Sequence, residues 1–386
     1  MEFSGRTWRP PYERDTPIIE ATTGCAWGQC SFCNLFEEER FSVGSLEKFE
    51  RELDEVKSYI PYTRRLWLTG GSPFQMSFPQ LEARANAVRD RLIKCQSIAM
   101  FASVRDIERK TDDELRRLRS LQVNGLTVGM ESGSDEALSL ANKGYTSDDI
   151  LRQLSRLDAV GIEYNVTYVT GLLGAHRGQW HAYETARVLN ELNPKIIGVS
   201  SLTVFPGTRF ATKIESGHFT PASEVERLEE LKTFMGELCL RVHLEASTKS
   251  NAIPIMGILP YDKPLLEAKL DDAISKEIEK RELEDYREKI HSLGWEQEPK
   301  KQALGERAKV AKEAARVFES SPAHYAPTKE KEAFRLLDKF KQSIFPKWEH
   351  CFPTWEKTRT PSSTEDSLVG VRKSHLTQMD NLMAGN

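Results

Sequence analysis

The sequence predicts an α/β fold in its first 210 residues and a mainly helical extension after them. Short apolar runs rich in β-branched and aromatic residues alternate there with longer stretches whose apolar residues recur at helical spacing. The short runs also end in glycine or polar clusters, where the chain turns towards the next helix. Regular alternation of strand and helix is typical of a parallel sheet with helices packed outside it.

Six strands and five intervening helices account for this part of the chain. The predicted strands cover residues 17–21, 65–69, 97–102, 126–130, 162–169 and 196–205. The predicted helices begin near Ser45, Leu81, Thr111, Ser147 and His181. Thr111 and Glu114 predict a capping box, and Gly161 predicts the C-terminal cap of the fourth helix. Six such units predict a partial (β/α)6 barrel, with its site at the C-terminal strand ends.

Changes in composition along the chain predict five regions. They are an irregular lead-in (1–15), the partial barrel (16–210), a mainly helical region that covers the barrel (211–298), a Lys-rich helical extension (299–354) and a disordered tail (355–386). Residues 222–295 are expected to be largely helical, with an interruption near 251–254. The tail is expected to be disordered because it has few large apolar residues to bury.

Overall composition excludes several classes of protein. The chain has 54 basic and 58 acidic residues and a net charge of −4, so no global basic excess indicates nucleic-acid binding. The sequence has no run of about 18 apolar residues, so no membrane span is predicted. The polar N-terminus is also unlike a secretory signal. Clustered cysteines are better explained as metal ligands than as disulfides, which predicts a reducing compartment such as the cytoplasm.

Three of the six cysteines, Cys25, Cys30 and Cys33, fall within nine residues. Thiolates are suited to zinc or to iron–sulfur clusters. No further cysteine or histidine lies nearby, whereas a closed structural zinc site needs four ligands. Three thiolates therefore favour a cluster that keeps one iron free for a substrate or cofactor. The alternative is a zinc knuckle completed by a distant ligand such as His243 or Cys239.

This cysteine segment resembles the signature of the radical S-adenosylmethionine (radical SAM) enzymes. Two residues separate Cys30 from Cys33, and the aromatic Phe32 precedes the third cysteine, as in that family. The chain departs from the pattern in its first gap, which has four residues where the family usually has three. Trp27 or Gly28 is the extra residue.

Two later segments strengthen the resemblance. Gly70-Gly71-Ser72-Pro73 is similar to the family's Gly-Gly-Glu-Pro segment, with Ser72 in place of the usual acidic residue. The stretch 129–138 resembles the fourth-strand segment of the group that contains anaerobic coproporphyrinogen oxidases, methylthiotransferases and cobalamin-binding members. The three segments occur in the expected order at successive strand ends.

The resemblance implies a role for each matching position. Cys25, Cys30 and Cys33 would hold three irons of a [4Fe–4S] cluster, whose fourth iron binds S-adenosylmethionine (SAM). The Gly70-Gly71-Ser72 segment would hold the methionine amino group, and Glu131 the ribose with the help of Ser132. The backbone of Phe32 would contact adenine from one side and Val204 from the other.

Three further polar residues have two interpretations each. Arg105 would pair with the cofactor carboxylate or form a surface ion pair with Asp106 or Glu108. Asn165 and Thr167 would line the barrel near the cofactor or be satisfied polar groups of the core. A lone histidine such as His243, expected just beyond the barrel, is more often structural than functional.

The family resemblance implies reductive cleavage of SAM to a 5′-deoxyadenosyl radical that abstracts hydrogen from an unidentified substrate. An electron donor such as flavodoxin or ferredoxin would be the partner. One alternative is an RNA-modifying radical SAM enzyme that uses the Lys-rich residues 299–349, although a solvated helix face is the favoured explanation of that charge. The other is a non-enzymatic metal-binding or interaction protein on a decayed barrel.

Overall fold

The computed structural model describes residues 3–292, and Met1–Glu284 form one compact unit. Its strands are β1 (Ile18–Glu20), β2 (Thr22–Thr23), β3 (Ser42–Val43), β4 (Arg65–Thr69), β5 (Ser97–Ala102), β6 (Val123–Glu131), β7 (Tyr164–Thr170), β8 (Ile196–Ser201), β9 (Val242–Ala246) and β10 (Ile255–Leu259). The predictions for residues 299–354 and 355–386 lie outside the described residues.

Ten α-helices lie in the same described part of the chain. They are α1 (Leu46–Tyr59), α2 (Phe78–Arg91), α3 (Val104–Glu108), α4 (Asp112–Ser120), α5 (Asp135–Leu140), α6 (Ser147–Val160), α7 (Gly178–Leu189), α8 (Arg209–Glu215), α9 (Glu224–Glu237) and α10 (Lys263–Ser292). Thr111 and Glu114 form the predicted capping box of α4, and Gly161 ends α6 in the left-handed conformation (φ 73°). No helix within residues 3–292 has both the length and the apolar composition that a bilayer crossing requires.

The main sheet has eight strands in the order β1-β4-β5-β6-β7-β8-β9-β10. All neighbours run parallel except β9 and β10, which are antiparallel. Strands β1 and β10 are the two edges, so the sheet stays open as a partial barrel, while β2 and β3 form a separate ribbon. The predicted α/β fold and its six strands are confirmed.

The prediction of a largely helical region after residue 222 is wrong for two segments. Strand β9 continues the parallel sheet beside β8, and β10 then turns back along β9. His243 therefore lies within the sheet, not beyond it. Both segments are only five residues long, and they are flanked by the long helices α9 and α10, so helical periodicity dominated the surrounding windows.

A small apolar cluster lies where the C-terminal strand ends meet the helices. Its members come from α5, the end of β7, the loops after β7 and β8, and the region of α8. We call it the edge cluster; its buried residues are Ala137, Ala141, Val169, Leu172, Leu173, Leu202, Phe210 and Phe219, with Phe32 and Val204 packed against them. Strand β8 ends at Ser201, earlier than predicted, which places Val204 in the following loop.

The N-terminal segment contacts the inner face of the sheet near its N-terminal edge. It contains a short 3-10 helix, Pro11–Glu13. The Tyr12 hydroxyl lies 3.0 Å from the Thr127 hydroxyl on β6, and the buried Glu13 accepts a 2.9 Å hydrogen bond from Arg65 Nε. Earlier residues of the segment reach the C-terminal edge, where the Trp8 backbone N–H donates to the Thr69 hydroxyl at 3.2 Å and Arg6 donates to Leu35 O, in the loop that carries the cysteines, at 3.0 Å.

Candidate functional site

The loop between β2 and β3 carries all three clustered cysteines to the C-terminal edge of the sheet. Cys25 and Cys30 are half-buried and Cys33 is exposed, and all three are free thiols. The backbone N–H of Ser31 donates to Ala141 O at 2.9 Å, and that of Phe210 donates to Ser31 O at 3.1 Å. The second half of the loop is therefore held between the end of α5 and the start of α8.

The Gly70-Gly71 pair after β4 contacts the start of this loop. The backbone N–H of Gly71 donates to Gly24 O at 2.9 Å. A Cβ atom on Gly71 would lie 2.4 Å from Gly24 O and 2.8 Å from Cys25 Cα, and one on Gly70 would lie 2.0 Å from the Thr22 hydroxyl oxygen. Only glycine fits such close contacts, so two motifs predicted separately form one structural unit here.

The extra residue in the first cysteine gap is accommodated by Trp27. Its indole N–H donates to Asn142 O at 2.9 Å, and Asn142 Nδ2 donates to Gln29 O at 2.8 Å. The Arg105 guanidinium stacks on the indole, with Cζ 3.9 Å from the ring centroid. Through these hydrogen bonds, Trp27 and Asn142 hold the cysteine loop, which is one residue longer than usual, against the turn after α5.

Arg105 borders the cysteine loop through this stack. The alternative prediction, a surface ion pair with Asp106 or Glu108, is wrong, since no such ion pair forms within the described residues. Asp106 instead accepts hydrogen bonds from the Ser72 hydroxyl and from the Ser103 backbone N–H. Burial raises the pKa of Asp106 above its ordinary value. Because the Ser72 hydroxyl is used in this contact, the backbone of its segment is the part left for a ligand.

Glu131 ends β6 in the left-handed conformation, with φ 67°. One carboxylate oxygen accepts from Lys143 Nζ at 3.2 Å, and the other accepts from the Thr167 hydroxyl at 2.8 Å. A left-handed non-glycine residue is uncommon and is often found at a functional position. The pairing of β6 with β7 shifts register between Val128 and Glu131, so the end of β6 is irregular where this carboxylate is presented.

Lys143 is the site residue that sequence reasoning missed. Its side chain is 8 % exposed and its Nζ lies 5.9 Å from the centroid of the Phe32 ring. Burial opposes its charge, but the Cys30 thiol, the Tyr145 phenol and the Glu131 carboxylate together raise the pKa of Lys143 well above its ordinary value. The only signal in the sequence is a single lysine among small and apolar residues after α5.

Two of the cysteine thiols, Cys30 and Cys33, are biased towards protonation by their surroundings. Burial raises the pKa of Cys30, and the charge of Lys143 opposes that shift. Burial also raises the pKa of Cys33, against a hydrogen bond from the Leu35 backbone N–H. Metal binding must therefore displace protons from these thiols, and Lys143 is the nearby cation that favours their thiolate form.

Ser132 lies in a buried network, in contrast to its predicted place beside the ribose. Its hydroxyl is 2.7 Å from His181 Nε2 and accepts from the Ser134 backbone N–H at 2.9 Å. His181 Nδ1 lies 2.7 Å from Glu230 Oε1, and Glu230 also accepts from the Tyr168 hydroxyl at 2.6 Å. His181 is fully buried, so this network fixes the chain just after Glu131.

We expect His181→Ala to lower the free energy of unfolding by about 3 kcal/mol, because it leaves buried partners on Ser132 and Glu230 unsatisfied. Urea titration followed by circular dichroism measures the change. His218→Ala is the matched control, since His218 is exposed. Equal unfolding midpoints for the two variants would contradict the structural role of His181.

The remaining predicted residues divide into two groups. Phe32 and Val204, the two residues predicted on either side of adenine, both pack against the edge cluster. Thr167 reaches the site through its bond to Glu131. Asn165, two residues earlier on β7, is 5 % exposed and pairs in register with Thr127, at the level that Tyr12 contacts. Asn165 is thus a core polar group below the site.

The arrangement of possible ligands bears on the zinc alternative. Within residues 3–292, no three His, Cys, Asp or Glu side chains come close enough together to hold one metal ion. Cys239 precedes β9 and so lies at the N-terminal edge of the parallel sheet, whereas the cysteine loop lies at the C-terminal edge. His243 is only the second residue of β9. Neither residue is placed to complete a four-ligand zinc site with the three cysteines.

Comparison with known families gives one match that covers the site. Residues 19–186 match the family model described as the Radical SAM superfamily. The matched range begins in β1 and ends within α7, so it includes the cysteine loop, the Gly70-Gly71 pair, Glu131 and Lys143.

Individual proteins are more distant. The heme chaperone HemW of Bacillus subtilis (strain 168) is 22 % identical over 207 residues, which are 52 % of this chain and 54 % of HemW. The chain thus spans about half the length of this curated relative. Among solved structures, archaeal Elp3 of Methanocaldococcus infernus has a TM-score of 0.44 at 13 % identity, covering 69 % of this chain and 63 % of that one. Coproporphyrinogen III oxidase (HemN) of Escherichia coli has a TM-score of 0.44 at 18 % identity, and the alignment covers 57 % of this chain and 51 % of HemN.

Proposed function

We propose that this chain is a radical SAM enzyme, because residues 19–186 match the Radical SAM superfamily model, and that it cleaves SAM reductively to methionine and a 5′-deoxyadenosyl radical. The radical then abstracts hydrogen from a substrate that is still to be identified. The observation that carries the proposal is the convergence of separate sequence motifs on one loop. The Gly70-Gly71 pair contacts the loop start. Lys143, held by Glu131, lies 5.9 Å from the centroid of the Phe32 ring, and its charge favours the thiolate form of Cys30.

The cysteine loop is the proposed ligand set. Cys25, Cys30 and Cys33 would hold a [4Fe–4S] cluster, which supplies the single electron for the reaction and an open iron for SAM. The residues fit this group because three free thiols share a short loop. Each thiolate would bind a different iron, so the three sulfurs need not converge on a single ion. Lys143 offsets the negative charge that three thiolates bring into a half-buried site.

The residues around the loop would orient SAM. We assign the ribose hydroxyls to Glu131, which Lys143 and Thr167 hold in place through one hydrogen bond each. Backbone groups of the Gly70-Gly71-Ser72 segment would bind the amino group, and Arg105 the carboxylate. Phe32 and Val204 would enclose adenine, as their shared contact with the edge cluster supports.

The proposal extends to the reductant and the compartment. A low-potential donor such as flavodoxin or ferredoxin would reduce the bound cluster, and the exposed Cys33 side of the loop gives such a donor access. The free thiols suit the reducing cytoplasm.

We expect Glu131→Gln to raise the dissociation constant for SAM at least about tenfold, since a charge-assisted hydrogen bond to the ribose is lost. Anaerobic isothermal titration of the cluster-loaded protein measures the constant, and iron analysis checks that loading is unchanged. The matched control is Glu229→Gln, whose carboxylate is exposed on α9. Unchanged SAM affinity in a fully loaded Glu131→Gln protein would contradict the ribose assignment.

A further inference from the structure

A cavity of about 380 Å³ lies at the C-terminal edge of the sheet, beside the proposed adenine contact. It is formed by the loops after β7, β8 and β9 together with the start of α9. Its lining includes Gly171, Thr203, Val204, Arg227, Lys249 and Ser250. Cavities of this size hold small molecules, and apart from Val204 the proposed SAM contacts lie outside this one.

One side of the cavity is cationic. Arg227 donates to Leu202 O through NH1 at 3.3 Å and pairs with Glu224 through NH2. Its Nε is buried and has no hydrogen-bond partner among the described residues. Lys249 is exposed and has no ion pair or hydrogen bond within residues 3–292. Glu224 neutralises one of the two cations, so the cavity retains a net positive charge and an unused donor.

The other side of the cavity is apolar and leads towards the cysteine loop. Leu202 and Val204 line the cavity and also belong to the edge cluster, against which Phe32 packs. Pro221 and Ala222 extend this apolar wall. A ligand that fits both sides has an apolar body near the adenosine end of SAM and an anionic group near Lys249.

We propose that this cavity binds the substrate through a carboxylate or phosphate group. Lys249 would bind the anion beside the positively charged Arg227, and the apolar wall would place the body of the substrate beside the 5′-carbon of SAM. The inference rests on the proposed function and narrows its substrate to small anionic molecules. The inference favours small anionic molecules over RNA, because the cavity offers two cationic side chains at one place and not an extended basic surface.

The test uses the full chain with its cluster reconstituted under anaerobic conditions. Inorganic phosphate and acetate are the probes, and sodium chloride keeps the ionic strength constant. Thermal unfolding is followed at rising probe concentration, because a ligand that binds the native state raises the melting temperature. We expect saturable stabilisation by at least one probe, with an apparent dissociation constant about tenfold higher in Lys249→Gln.

Two controls separate this inference from the proposed function. Lys269→Gln, a change at an exposed lysine of α10, should leave probe binding unchanged. SAM affinity, measured by titration, should be the same in Lys249→Gln as in the wild type. An equal response of all three proteins to both probes, or no saturable response at all, would overturn the proposal. Weakened SAM binding in Lys249→Gln would also overturn it, since the anion would then be the SAM carboxylate.

Discussion

Replacing Cys30 with serine is expected to abolish cluster binding. Cys30 is the half-buried middle residue of the three-thiol loop, and its thiol lies close enough to Lys143 and Glu131 for their charges to act on its pKa. A hydroxyl is a much poorer ligand for iron than a thiolate, and the loop itself supplies only three thiolates. After anaerobic reconstitution, iron and sulfide per chain and the visible absorption of the cluster should fall to background.

Cys239→Ser is the matched control for this experiment. Cys239 is also a free thiol, but it is exposed at the opposite edge of the sheet. Its replacement should leave iron and sulfide content unchanged. Full cluster loading of Cys30→Ser would contradict the ligand assignment, and loss of metal from Cys239→Ser would favour the zinc alternative.

The second large effect is expected for Gly71→Ala. The new Cβ would lie 2.4 Å from Gly24 O and 2.8 Å from both Cα and Cβ of Cys25. These are mostly backbone atoms, so the loop start must move, and overpacking of this kind costs about 1–3 kcal/mol. We expect cluster loading to fall by more than half, measured by iron analysis, while far-ultraviolet circular dichroism keeps its wild-type shape.

The matched control is Gly236→Ala in α9. A Cβ atom there meets nothing within 4 Å among the described residues, and Gly236 is the second-last residue of the helix, so alanine fits at this position without a clash. Its cluster loading should equal that of the wild type. If Gly71→Ala reconstitutes as fully as Gly236→Ala, then the close contact between β4 and the cysteine loop has no role in holding the cluster.

Local patterns predicted the parallel part of the fold and the position of the site. The capping box at Thr111 and the glycine cap at Gly161 are determined by residues a few positions apart, so the sequence reveals them directly. The cysteine loop and Glu131 were predictable because each follows an apolar strand, and parallel strands bring their C-terminal ends to one edge.

Features that depend on contacts between distant segments could not be predicted. Lys143 becomes a site residue only because the turn after α5 folds against Cys30 and Glu131. Ser132 was predicted to help bind the ribose, but its hydroxyl is hydrogen-bonded to His181, which lies 49 residues later in the sequence on α7. Strand β9 is stabilised by β8, and its five residues carry too little periodicity to be distinguished from helix.

Reductive cleavage of SAM by this protein is tested most directly by the formation of 5′-deoxyadenosine. The protein is reconstituted anaerobically with iron and sulfide, reduced with dithionite and incubated with SAM, and the products are separated by liquid chromatography with mass detection. We expect 5′-deoxyadenosine and methionine from the wild-type protein and neither product above background from Cys30→Ser. A wild-type protein that carries a reducible cluster and binds SAM, yet yields no more 5′-deoxyadenosine than Cys30→Ser even with a range of small anionic molecules added, would contradict the proposed cleavage of SAM.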